Sequence, residues 1–155
     1  MYSKEEKRQL IVDFWAGFDE YCETLPHLAG DPKKWILHRT KMRGIDLKFD
    51  PGRKYTDVIL EVNHRNERRR LEMYERIEQY KVVIEEGLEN ELTWDFAFER
   101  ELGEEVCRIY TRLEGVDLHR KKDWPTMFEF MAAKMYPLQN NFVDIRALIK
   151  DKQDD

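Results

Sequence analysis

Only two cysteines occur in the 155 residues, Cys22 and Cys107, with no Cys-x-x-Cys spacing and no second pair. A disulfide scaffold and a cysteine-based zinc site are thereby excluded, and both thiols fall in apolar-periodic segments as core residues would. The four histidines, His27, His38, His64 and His119, include no i, i+4 pair, so the helix-borne zinc motif is absent as well. His38 and His64, on expected strands, read as hydrogen-bonded structural residues. The seven glycines form no Gly-x-Gly-x-x-Gly, Walker-type loop or Gly-x-Ser-x-Gly elbow, which leaves nucleotide cofactors and serine hydrolysis without support. No apolar run approaches the roughly 18 residues of a membrane-spanning helix. The N-terminus enters a charged amphipathic helix where a secretory leader would be apolar, so a cytoplasmic, reducing location without membrane attachment is expected.

Charge is what the sequence has in abundance. Charged residues make up 38% and apolar ones 41%, and 27 Lys plus Arg against 32 Asp plus Glu leave a net charge of −5. A chain of this size buries about 68–70% of its extended surface, enough for one ordinary core. One domain over residues 1–149 is expected, with a polar tail at 150–155.

Ser3 and Glu6 form a capping box ahead of Leu10, Phe14, Trp15, Phe18, Cys22 and Leu25, which recur at helical steps until Pro26, Gly30 and Pro32. Between residues 35 and 64 the period falls to two, predicting strands over 35–42, 45–49 and 55–64. Ile45, Leu47, Phe49 and Val58, Leu60, Val62 alternate with Asp46, Lys48, Asp57, Glu61 and Asn63, as in antiparallel strands with one face on a core. The link Asp50-Pro51-Gly52-Arg53 suits a type II turn and hence a loop of more than two residues. Helical spacing returns over 66–88 with Asn66 as cap. Strands follow over 92–98, with Leu92, Trp94, Phe96 and Phe98 on one face, and over 105–113. A last helix starts near Asp123, with Pro125 in its first turn and Pro137 expected to kink or break it. The order α-β-β-β-α-β-β-α gives an α+β fold: one antiparallel sheet of about five strands carrying three helices. Trp15, Trp35, Trp94 and Trp124 all sit at core spacing.

Three groups of residues could carry function. Residues 33–70 hold 12 basic and 5 acidic side chains, a local balance of +7 in an acidic protein. Arg68, Arg69 and Arg70 fall in the first turn of the second helix, where free N–H groups and the macrodipole welcome an anion. With Lys48 and Arg53 they outline an anion or nucleic-acid surface; the plainer alternative is a solvated face paired with the acidic remainder. Asp46 and Glu61 come side by side if Leu47 faces Leu60. An acid on one strand and Glu61-Val62-Asn63 on the next resembles the restriction-endonuclease-like core, in which two acids bind Mg²⁺ and a lysine two residues beyond the second acid orients water. Asn63 stands at that lysine's position here, no Pro-Asp precedes the first acid, and Lys48 is the one available stand-in. The plainer alternative is a polar sheet face with cross-strand pairs such as Lys48 with Asp57.

Over most of the chain the pattern resembles an uncharacterised bacterial family of domains of unknown function. Its elements are a Phe14-Trp15-x-x-Phe18 helix, a Val58, Leu60, Val62 strand and a helix bearing Tyr74, Ile77, Lys81, Ile84 and Glu85. Leu92 with Trp94 and an Arg108-Ile109 pair complete it. Members of the look-alike family often form the C-terminal part of larger proteins whose other half looks nuclease-like, which implies an accessory role near nucleic acids. Lys81 and Glu85 border the apolar stripe and read as snorkelling stems with paired heads. The expectation is thus a domain of unknown function, non-enzymatic, for binding or assembly with a protein partner or as a homodimer through the apolar stripes of the first and last helices. A nuclease or nuclease relic using Asp46 and Glu61, with Asn63 and Lys48 beside them, and non-catalytic nucleic-acid binding through the arginines are the alternatives. No cofactor is expected, and Mg²⁺ only for the nuclease alternative.

Overall fold

The computed structural model describes residues 2–32, 34–37 and 39–150. It is an α+β fold in which four strands form one antiparallel sheet in the order β1-β2-β4-β3. The elements run α1 (Lys4–Glu23), β1 (Ile45–Pro51), β2 (Tyr55–Val62), α2 (Glu67–Glu78), the single turn α3 (Lys81–Ile84), β3 (Thr93–Glu99), β4 (Glu105–Glu114) and, after a 3₁₀ turn, α4 (Trp124–Ile149). Of the expected polar tail only Lys150 lies within the described residues.

Local signals set most of these boundaries. The capping box is made, with Glu6 N–H donating to Ser3 Oγ and Ser3 N–H to Glu6 Oε1. Asn66 caps α2 by accepting from Arg69 N–H at 2.9 Å. Register follows alternation: Leu47 pairs with Leu60, Asp46 with Glu61 and Phe49 with Val58. The β1–β2 connection is a three-residue loop, 52–54, in agreement with the turn chemistry of Asp50-Pro51-Gly52-Arg53.

The strand expected over 35–42 is not formed, so the sheet has four strands rather than about five. The reason is that, beyond one bond from Leu47 N–H of β1 to Leu37 O, this segment's backbone groups bond to turns and to α4 side chains instead of to a ladder. Ile36 N–H donates to Gln139 Oε1, Arg146 donates to Thr40 O, and Thr40 Oγ1 donates to the Met42 and Ile45 carbonyls. Lys41 and Gly44, both at positive φ, turn the chain into β1. His38 lies outside the described residues. The helix expected over 66–88 is interrupted at Gln79 and Tyr80, and Asn141 of α4 takes the freed carbonyls of Ile84 and Glu86 at 2.9 and 2.8 Å. Pro137 does not break α4, which runs through it to Ile149. Asp123 precedes α4 without capping it, because its carboxylate accepts from Asp117 N–H and Arg120 Nε instead.

The helices pack on one face of the sheet around Phe14, Phe18, Met127, Met131 and Phe142, with Leu47, Leu60, Val62 and Ile109 beneath them. Cys22 and Cys107 are buried there as free thiols, with burial raising both and Cys107 to about 11, as expected of core cysteines. Trp35 is buried and stacked on Phe18. Trp15 keeps 38% of its surface, next to exposed Ile11 and Val12 on α1.

Candidate binding site on the polar face of the sheet

Period-two alternation sends Asp46, Lys48 and Asp50 of β1, Asp57, Ile59 and Glu61 of β2, and Arg108, Tyr110 and Arg112 of β4 to the face opposite the helices. The hydrophobic core claims one face of each strand, so the charged set is forced onto the other. There the charges form two closed pairings. The Glu61 side chain has no exposed surface and receives Lys48 Nζ at 2.7 Å, Arg108 Nε at 2.9 Å and Arg100 Nη2. Asn63 Nδ2 bridges Glu61 Oε1 (2.8 Å) and Asp46 Oδ2 (3.0 Å). Burial by itself would raise the Glu61 carboxyl, but hydrogen bonds from Lys48, Asn63 and Arg100 outweigh it and hold the group at about 2. Arg112 grips Asp57 with two bonds of 2.8 and 2.9 Å, and that bond raises the Arg112 guanidinium.

The guanidinium groups also lie over rings: Arg112 is 3.7 Å from the Tyr55 centroid and Arg108 4.1 Å from that of Phe98. Phe98 reaches this face because a β-bulge between Asp95 and Phe98 reverses the alternation of β3. Trp94, before the bulge, packs against Tyr74 on the helix side. The expectation that Trp94 and Phe98 share a face is thus corrected by one extra residue in the strand.

At the end of the sheet where the β1–β2 and β3–β4 turns meet, a pocket of about 730 Å³ opens, lined among others by Asp50, Lys54, Tyr55, Phe98, Leu102 and Arg108. Asp50 is exposed to it. Desolvation raises its carboxyl above the ordinary value, Asp57 and Glu101 add to the rise, and Arg108 and Arg112 oppose it. Leu102, at the tip of the β3–β4 turn, is 89% exposed.

The sequence-predicted residues divide. Asp46, Lys48, Glu61 and Asn63 converge, as the register required, but Lys48 pairs with Glu61 and leaves Asp57 to Arg112. Positions around Glu61 that a metal ion would need are held by three cations and an amide. Among the described residues no group of three or more His, Cys, Asp and Glu is placed to hold a metal ion. Arg68, Arg69 and Arg70 do not share a surface: Arg68 points outward to Glu72, while Arg70 is buried and donates to the His64 carbonyl. Arg53 lies at the opposite end of β2 from α2 and pairs with Asp117. The basic segment is partly paired, since Lys34, Lys48, Arg53, Arg68 and Arg70 each meet a carboxylate. Lys81 and Glu85 meet at Trp94, one over its ring and one accepting its indole N–H, on the face away from Arg108.

Sequence reasoning missed Asp50, Tyr55, Phe98, Arg100 and Arg112 as site residues. Asp50 and Arg112 were available as continuations of the Asp46-Lys48 and Arg108-Tyr110 alternation. Arg100 and Phe98 carried no signal, because a turn and a bulge place them.

The family comparison bears on the whole of this architecture, because its model matches residues 10–146, from α1 through α4. The chain belongs to the family described as Domain of unknown function (DUF4268). No curated protein and no solved structure matches the chain. The matched region contains every residue of the two charge pairings and of the pocket named above. Among the described residues no helix is long and apolar enough to cross a membrane.

Proposed function

We propose that this domain is a non-catalytic protein-interaction module whose contact surface is the polar sheet face around the pocket. The observation that carries the reading is the saturation of Glu61. Its carboxylate is buried and engaged by Lys48, Arg100, Arg108 and Asn63, so the acid that metal-assisted hydrolysis would require is already neutralised. The same pairings engage Lys48, and other carboxylates hold Arg53, Arg68 and Arg70. A surface whose arginines are held by internal ion pairs, beside an aromatic-walled pocket, favours recognition of a shaped partner over long-range attraction of a polyanion.

The test is fluorescence anisotropy of labelled duplex and single-stranded DNA and RNA at low and near-physiological salt, with and without Mg²⁺, followed by denaturing gels. Intact strands and no saturable binding are expected. Mg²⁺-dependent scission that disappears in Asp46→Asn would restore the nuclease reading. Salt-sensitive binding abolished by replacing Arg68, Arg69 and Arg70 with Glu would restore nucleic-acid recognition.

A further inference from the structure

The pocket's own charges show what it lacks. Of its basic lining residues, Arg53 is engaged by Asp117, Arg100 by Glu61 and Glu104, and Arg108 by Glu61. Among the described residues, the side chains of Asp50, Glu99 and Glu101 in the lining make no hydrogen bond or ion pair, against one such cation, Lys54. The lining itself balances four acids with four bases, and when Asp57, Glu61 and Asp117 behind it are included with their partners Arg112 and Lys48 the surroundings carry a formal surplus of one negative charge. Tyr55 and Phe98 wall the space and the exposed Leu102 overhangs it.

The geometry points to a lysine or arginine side chain of a partner polypeptide as the occupant, its cationic head on Asp50 and its methylene stem between Leu102, Phe98 and Tyr55. This assignment rests on the interaction-module reading and gives it a ligand chemistry. A long basic side chain fits because it combines an apolar stem with a charged, donor-rich head, matching a lining that holds both apolar side chains and unpaired carboxylates. A carboxylate or phosphate would meet Asp50 and the unpaired Glu99 and Glu101, while every lining arginine already holds an acid.

The experiment is a titration of ¹⁵N-labelled protein, followed by amide chemical shifts, with pentapeptides acetyl-Ser-Leu-X-Leu-Ser-amide in which X is Arg, Lys, citrulline or Glu. Saturable shifts at Asp50, Tyr55, Phe98 and Leu102 are expected with Arg or Lys, and the stronger of the two identifies the preferred head. Citrulline, isosteric with arginine but neutral, should bind about tenfold more weakly, as loss of one good charge-assisted contact implies. Asp50→Asn should erase the difference between arginine and citrulline, and because Asp50 makes no hydrogen bond the variant should keep the wild-type spectrum elsewhere. Equal binding of citrulline, tighter binding of the Glu peptide, an unaltered affinity in Asp50→Asn, or no saturable shift at the pocket would each overturn the assignment. The interaction-module reading falls on a different result, namely strand scission or salt-sensitive nucleic-acid binding in the anisotropy assay.

Discussion

The Glu61 carboxylate is ionised out of contact with water because Lys48, Arg100, Arg108 and Asn63 replace its hydration. Removing its charge strands three cations against one amide. Glu61→Gln should therefore cost about 3–5 kcal/mol, the range for breaking a buried ion pair from one side, measured by urea unfolding at pH 7. Its folded pKa of about 2 lies below the ordinary 4.5, so its contribution is fully present above 4.5 and is lost as pH falls through 2. The loss amounts to about 3 kcal/mol and should appear in urea midpoints between pH 5 and 2 as a slope that Glu61→Gln abolishes. Asp50 has the opposite sign: its raised carboxyl disfavours the charged form in the folded protein. Asp50→Asn should leave the thermal midpoint at pH 7 equal or higher, as is common where a residue is held for binding; a lower midpoint would mark Asp50 as structural.

At the scale of elements, the short approach to β1 is under tighter steric control than its sequence suggests. Gly44 has φ of 82°, and a Cβ there would lie 2.5 Å from His64 Nε2. Gly44→Ala should destabilise by about 2 kcal/mol or more, from left-handed strain plus displacement of the imidazole. Gly30→Ala is the control: φ is 78° but nothing lies within 4 Å of the added carbon, so only the roughly 1–2 kcal/mol backbone term applies. Asn66→Ala should cost about 1 kcal/mol through loss of the α2 cap. Alternation revealed β1, β2 and β4 and their core faces but left their register open; the pairing observed is one that keeps every apolar side chain on the core, which a one-residue slip would not. It failed at residues 35–42, where contiguous Trp35, Ile36 and Leu37 looked strand-like but the Ile36 N–H finds its partner on α4, more than a hundred positions away in sequence, and the Trp35 and Ile36 carbonyls accept from Arg39 in a local turn. It failed also at Phe98, where a bulge adds one residue and reverses the face.

At the scale of the whole molecule, the stripes of α1 and α4 are largely consumed by the core: Leu10, Phe14, Phe18 and Cys22 on α1, and Met127, Met131, Leu138 and Phe142 on α4. What a second copy could use on α1 is the exposed trio Ile11, Val12 and Trp15. Light scattering at tens of micromolar (order of magnitude from the weak-affinity range) discriminates the cases. A mass of 18.9 kDa is expected for a module that binds other proteins, whereas twice that mass, restored to one by Trp15→Glu, would assign the trio to a homodimer.

Composition, spacing and caps by themselves determined the α+β class, the antiparallel pairing of β1 with β2, the N-terminal caps of α1 and α2, and the placing of Asp46, Lys48, Glu61 and Asn63 on one face. Those properties depend on neighbours in sequence and on the period of the backbone. Charge pairing, the bulge and the pocket were decided only by tertiary structure. Electrostatic partners are chosen by proximity in space, so Lys34, Arg53, Arg68 and Arg70 of the basic segment 33–70 meet acids brought from α1, the segment before α4, α2 and β4. Arg100 joins Glu61 only because a turn returns it over the sheet.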